Sequence, residues 1–230
     1  FAILGKSEEL RQLLEAGSEG VDYMYAGDGT TPLWKAAYKG QEKCVELLLG
    51  AGAKVDQAKN TGDTPLLIAA FKGHEKCVQR LLEAGAEVDK ATPFGTALRA
   101  DGYTFVMNDG YTPLSIAASN GKEKCVQLLL GAGAKVDQAR NDGVTPLYLA
   151  CQDGHRPTIS LLLAAGASVD QARNDGATPL AIACHYNHLA CVQLLSSSGS
   201  SPPPPRRSVP AGPVGSYLSP GAPPSASPGE

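Results

Sequence analysis

Apolar residues come in short bursts at helical spacing along this chain, separated by polar, turn-forming stretches of nearly constant length. Residues 28–60 show the pattern once. Leu33, Ala36 and Ala37 mark one face of a short helix; Val45, Leu48 and Leu49 mark a second; Lys54 to Gly62 is polar and rich in turn formers. Positions three and four apart share a helix face, so each burst predicts an amphipathic helix. Thr31 is placed to cap the first helix, because its hydroxyl can accept from an otherwise unpaired backbone N–H. Pro32 suits the first helical position, where its missing donor costs nothing. Gly40 should break this helix after about two turns, and Gly52 is the expected left-handed residue after the second. Asn60 and Gly62 suit the positive φ values of a tight turn. Helices of roughly 8–10 residues do not persist alone in water, so each must bury its face against neighbours.

The unit then returns. Thr-Pro-Leu occurs at 31–33, 64–66, 112–114, 145–147 and 178–180, in steps of 33, 48, 33 and 33 residues. Gly29, Gly62, Gly110, Gly143 and Gly176 each stand two before the Thr. A period this long means supersecondary units stacked in a row, with function on a surface made from many of them. Ala pairs at 36–37, 69–70 and 117–118 let helices approach closely, and Cys151 and Cys184 replace the second Ala at little cost in volume.

The frame Gly-x-Thr-Pro-Leu-x-x-Ala-Ala-x-x-Gly-His-x-x-x-Val-x-x-Leu-Leu-x-x-Gly-Ala-x-Val-Asp resembles the ankyrin repeat over about residues 1–91 and 108–199. The resemblance implies an all-α solenoid of helix-turn-helix plus β-hairpin units, with hairpin tips projecting to one side and protein binding as the usual activity. One departure is systematic. Most ankyrin repeats carry His just after Thr-Pro-Leu, where this chain has Trp34, Leu67, Ser115, Tyr148 and Ala181. The loss of a local hydrogen-bonding network there should weaken the array somewhat.

On this frame residues 1–27 read as a partial N-terminal repeat that lacks most of its first helix, 28–91 as repeats 1–2 and 108–199 as repeats 3–5. The 48-residue step holds an insertion or decayed half-repeat at 92–107. Gly95-Thr96-Ala97-Leu98-Arg99-Ala100 imitates the repeat opening, which makes a short helix over 95–100 an expectation, and a purpose-built binding loop is the rival reading. Residues 200–230, dominated by Ser, Pro and Gly, cannot bury enough surface to offset ordering entropy and should be disordered. Pro202 to Arg207 fits a weak ligand pattern for an SH3-type domain. Ser201, Ser219 and Ser227 each precede Pro and are unspecific candidates for phosphorylation.

Composition narrows the chemistry. Net charge is −3, from 20 basic and 23 acidic residues, which gives no electrostatic reason to expect nucleic acid or a membrane surface. No apolar run approaches the ~20 residues needed to span a bilayer. The chain opens on Phe1, inside what reads as a repeat, so an N-terminal part is expected to be missing. Cys44, Cys77, Cys125 and Cys191 share one repeat position, and Cys151 and Cys184 share another. Equivalent positions lie one stacking step apart, about 10 Å, beyond the ~7 Å that a disulfide spans. All six therefore read as buried reduced thiols, which favours an intracellular, cytoplasmic or nuclear, setting. The zinc-like stretch Cys184-His185-Tyr186-Asn187-His188-Leu189-Ala190-Cys191 is explained by register: Cys184 aligns with Ala37, Cys191 with Cys44, and His188 with His74 and His155. His185 alone falls outside it, on a helix position expected to be exposed. Asp56, Asp89, Asp137 and Asp170 recur with the period and read as hairpin residues, not a catalytic pair. No metal, cofactor or enzymatic activity is expected.

Residues that vary while their surroundings repeat carry the functional expectation. The resemblance places a binding face on the hairpin tips and the ends of the first helices. By register the candidates are Tyr38, Lys39, Asp63, Phe71, Lys72, Tyr111, Asn120, Asp142, Asp153 and Tyr186. Tyr38, Phe71 and Tyr111 are expected to be exposed aromatic anchors, whereas Trp34 and Tyr148 lie deeper and should pack. The reading is a monomeric, non-catalytic scaffold or adaptor for a protein or peptide partner that no residue identifies. Two rivals stand beside it: the targeting or substrate-recruiting arm of a larger enzyme or channel, and a spacer whose tail does the recruiting.

Overall fold

The structure is a computed structural model that describes residues 7–15, 20–24, 27–93, 97–100, 103–106 and 110–199. The expectations for the tail and its Pro-rich motif lie outside these residues. Among them the helices are α1 (Ser7–Glu15), α2 (Pro32–Lys39), α3 (Glu42–Gly50), α4 (Pro65–Lys72), α5 (Glu75–Glu83), α6 (Pro113–Ser119), α7 (Glu123–Gly131), α8 (Pro146–Gln152), α9 (Arg156–Ala164), α10 (Pro179–His185) and α11 (Leu189–Ser197). Even-numbered helices α2 to α10 form an inner row, each packed on the next; odd-numbered α1 to α11 form an outer row. This is an all-α repeat solenoid.

The caps work as the sequence requires. The hydroxyls of Thr31, Thr64, Thr112, Thr145 and Thr178 accept from the N–H three residues on, with Pro next in line each time. Gly40 ends α2 at φ 70°, a value an L side chain resists, and its N–H turns back to the carbonyls of Ala36 and Ala37. Ser115, in one of the places vacated by His, completes a reciprocal capping box with Thr112. The local network is thus rebuilt at that repeat.

Small side chains bring the inner helices together: Ala36, Ala37, Ala69, Ala70, Ala117, Ala118 and Ala150 are fully buried. Leu48, Leu81, Leu129, Leu162 and Leu195 do the same for the outer row. Each such leucine contributes roughly 1.5–3 kcal/mol by leaving water, which short helices cannot obtain alone. The thiols belong to this core with one exception. Cys44, Cys77, Cys125, Cys151 and Cys191 are buried, whereas Cys184 is exposed. The expectation for Cys184 fails because its equivalent Cys151 is covered by α10, while no described helix follows α10 and α11. Burial pushes the Cys77 and Cys125 thiols up to about 11, so these side chains stay protonated.

Two polar ties cross the junctions between repeats. On the outer loops, Asp22, Asp56, Asp89 and Asp137 accept from the backbone N–H of Lys54, Glu87, Lys135 and Ser168 in the following repeat, at 3.0–3.1 Å. In the helix-to-helix turns, Nε2 of His74, His155 and His188 meets the carbonyls of Tyr38, Ser119 and Gln152 at 2.9–3.1 Å. A carbonyl only accepts, so Nε2 carries the proton in all three.

Hairpin turns connect the units. Lys59, Arg140 and Arg173 donate their N–H groups to Asp63, Val144 and Ala177 across four-residue turns. Gly62 supplies the positive φ there, at 85°, but Asn60 does not; the Asn60 N–H instead pairs with the Asp28 carbonyl of the preceding tip. The insertion opens one of these turns. Thr92 takes the place of the cation, its N–H donates to the Tyr111 carbonyl at 2.9 Å and its carbonyl accepts from Gly110 at 3.1 Å. Between them β1 (Ala97–Ala100) pairs antiparallel with β2 (Tyr103–Val106). The expected helix at 95–100 is therefore corrected to strand over 97–100: a hairpin grows from a hairpin's tip, and alternate pairing satisfies the backbone without a third helix to pack on.

Candidate interaction surface

The inner helices and the hairpins before them share one face. Its first half is a cluster of aromatic rings and lysines. Trp34 and Tyr38, one turn apart on α2, stack with centroids 5.4 Å apart and planes at 10°. Lys72 Nζ lies 4.6 Å from the Tyr38 centroid and 5.5 Å from that of Phe71. Lys39 Nζ lies 5.3 Å from Tyr38, and Lys35 Nζ about 6 Å from both stacked rings. Lys59 approaches Trp34 from the hairpin at 5.0 Å and pairs with Asp28 at 3.1 Å. Ammonium groups over ring faces gain electrostatic attraction while their stems cover apolar surface. Tyr38, Lys39, Phe71 and Lys72 are thus gathered in one place. Lys39 is exposed and Phe71 and Lys72 are half-buried, but Tyr38 is only 8% exposed. The expected exposure of Tyr38 is corrected by its stacking on Trp34.

Two further candidates are interior. Asp63 is fully buried and Tyr111 is 7% exposed, as are their register equivalents Thr30 and Val144. The residue just before Thr-Pro-Leu points under the hairpin, where the next repeat covers it, so it is not a tip. The Asp63 carboxylate accepts from the Thr61 hydroxyl at 2.6 Å, and burial pushes it up to about 6 despite that bond and nearby Lys59. Tyr111 instead accepts from the Arg140 guanidinium at 2.6 Å. The same guanidinium grips Asp142 through Nε and an Nη, so Tyr111 and Asp142 are joined by a residue outside the candidate set.

The second half of the face is polar. Asn120 turns its amide back to the Ile116 carbonyl at the end of α6. Asp153 accepts from the Ser119 hydroxyl at 2.9 Å. It is exposed on one edge, and loss of solvation among the helix ends raises its pKa against that hydrogen bond. Tyr186 is 45% exposed, edge-on to His185 at 4.9 Å. Trp34 and Tyr148 pack as expected, at 3% and 2% exposure, and the Tyr148 phenol meets Arg173.

Register alone missed Lys35 and the hairpin cations Lys59, Arg140 and Arg173. Both signals are in the letters: Lys35 stands where the other repeats have Ile68, Ile116, Leu149 and Ile182, and the cation recurs at one hairpin position. Among the described residues no group of three His, Cys, Asp or Glu side chains is placed to hold a metal ion, and no helix is long and apolar enough to cross a membrane.

Two family models match the chain. Ankyrin repeats (3 copies) matches residues 1–92 and 114–204, and ankyrin repeats (many copies) matches 66–130. No curated protein matches. Ankyrin repeats are generally protein–protein interaction modules, and the family is typically non-catalytic. The capped inner helices, the outer row, the hairpins and these matches agree: the chain belongs to the ankyrin-repeat family.

Proposed function

We propose that this chain is a non-catalytic scaffold or adaptor and that its inner-helix face binds a protein or peptide partner. One observation carries the reading. The helix-end column runs Lys39, Lys72, Asn120, Asp153 and Tyr186, changing chemistry at three of its four steps while the buried Ala and Leu columns hold constant. Packing does not require that variation. A surface already fixed by its stack loses little entropy on binding, so modest contacts give useful affinity. Six free cysteines, five of them buried, accord with a reducing compartment.

The test compares partners captured by the full chain with those captured by two variants. Lys39→Glu/Asn120→Arg/Asp153→Arg changes only helix ends and should lose the partner. A chain lacking 200–230 should keep it. Retention by the triple variant, or loss on removing the tail, would overturn the assignment of binding to this face.

A further inference from the structure

We propose that the half of this face built on α2 and α4 recognises an acidic segment of an extended peptide in a partner protein. The proposal rests on the inner-face reading and gives it a ligand chemistry.

Each hairpin cation has a carboxylate partner, and Asp63 is buried beneath its hairpin. Lys59 pairs with Asp28, Arg140 with Asp142, and Arg173 with Asp175. The inner helices therefore set the sign of the face. At the α2–α4 end they contribute Lys35, Lys39 and Lys72; at α6 the helix end is neutral Asn120; at α8 it is Asp153. Lys35 is the sharpest departure, a cation at a position aliphatic in the four other repeats. Among the described residues neither Lys35 nor Lys39 makes an ion pair, and their ammonium groups share one stacked ring pair with those of Lys59 and Lys72. The repulsion felt by Lys35 and Lys39 is offset only in part by the rings, and a ligand carboxylate would relieve it. Stems already laid on rings have little rotamer freedom left to lose.

The same geometry disfavours a nucleic acid strand. The rings are buried, Trp34 at 3% and Tyr38 at 8%, so they offer no platform for stacking bases. A phosphate chain running along the inner helices would meet Asp153 instead of further cations. A peptide can change sign on the way. Three stacking steps of about 10 Å separate Lys39 from Asp153, a span of roughly nine extended residues. The fitting ligand is acidic over α2 and α4 and neutral or basic toward α8.

Trp34 is the chain's single tryptophan, so its fluorescence reports on this patch alone. The experiment selects a random peptide library of roughly ten residues on the full chain, then titrates selected peptides by Trp34 emission and maps them by hydrogen exchange. Selected peptides should share an Asp/Glu cluster, perturb Trp34 and weaken as salt rises. Lys35→Gln/Lys39→Gln, which keeps the stems on the rings, should lower affinity about tenfold, and Lys35→Glu/Lys39→Glu further still, with helical circular dichroism unchanged. Peptides without acidic residues that still protect α2, α4 and α6 would sink the charge inference and leave the inner-face reading standing. Peptides that protect other surfaces, or no selection at all, would sink both. Tighter binding of a mixed-sequence single-stranded oligonucleotide at Trp34 would overturn the peptide assignment.

Discussion

The junction between the α4–α5 and α6–α7 units is built differently from the two that follow it. All three keep the inner-helix packing, and Asp89 ties the outer loops at the first as Asp137 does at the second. At the later junctions His155 and His188 also fasten each turn to a carbonyl of the preceding inner helix. At the first, the equivalent residue is Lys122, whose stem lies against Gly73. There the hairpin turn is also opened by the insertion. Stability in a repeat array is a sum of unit and neighbour contributions, so the junction that lacks the imidazole tie is where the array should part first. Identical apolar columns do not make identical seams.

Breaking the apolar column should matter most. Leu129, fully buried on α7 beside that junction, should cost about 2–5 kcal/mol as Leu129→Ala, measured by urea denaturation. Leu195→Ala should cost less, because α11 has a described neighbour on one side only and the site can relax. Equal costs would mean that both ends are held alike.

Next in size is a proton. Asp63 has a folded-state pKa of about 6 through burial, against about 3.9 in an unfolded chain. The unfolded state therefore loses this proton first as pH rises. The Asp63 contribution is fully present below about pH 4 and falls through about pH 6, by about 3 kcal/mol at most. Asp63→Asn should remove that slope from the pH–stability profile; an unchanged slope would place its origin elsewhere.

The junctions themselves give smaller effects. His155→Ala removes one imidazole–carbonyl bond and should cost about 1 kcal/mol. Lys122→His supplies the missing one and should stabilise by about 0.5–1 kcal/mol, with slower amide exchange in α6. No gain would show that the insertion, not the lysine, weakens the seam. Tyr186→Ala, at an exposed helix end, should stay within about 0.5 kcal/mol.

The repeat frame was legible because its caps are local: Thr, Pro and Gly announce helix ends without help from distant residues. The face was legible only in part. Register assigned Lys39, Lys72, Asp153 and Tyr186 to the surface, but it could not show that Tyr38 lies down on Trp34 or that Asp63 and Tyr111 slide beneath the next hairpin. Those outcomes depend on what a neighbour covers. The strand pair at 97–106 was hidden by a passage that copies the repeat opening without Pro, and so lacks the residue that starts a helix.

The pinch at Thr92 and Tyr111 separates what happens beyond it from the stack below. Two backbone bonds hold the stem, and doubling the length of a closed loop adds only about 0.6 kcal/mol of closure entropy. Foreign sequence grafted between those two residues would be displayed on a fixed pedestal, leaving the helices indifferent to its size.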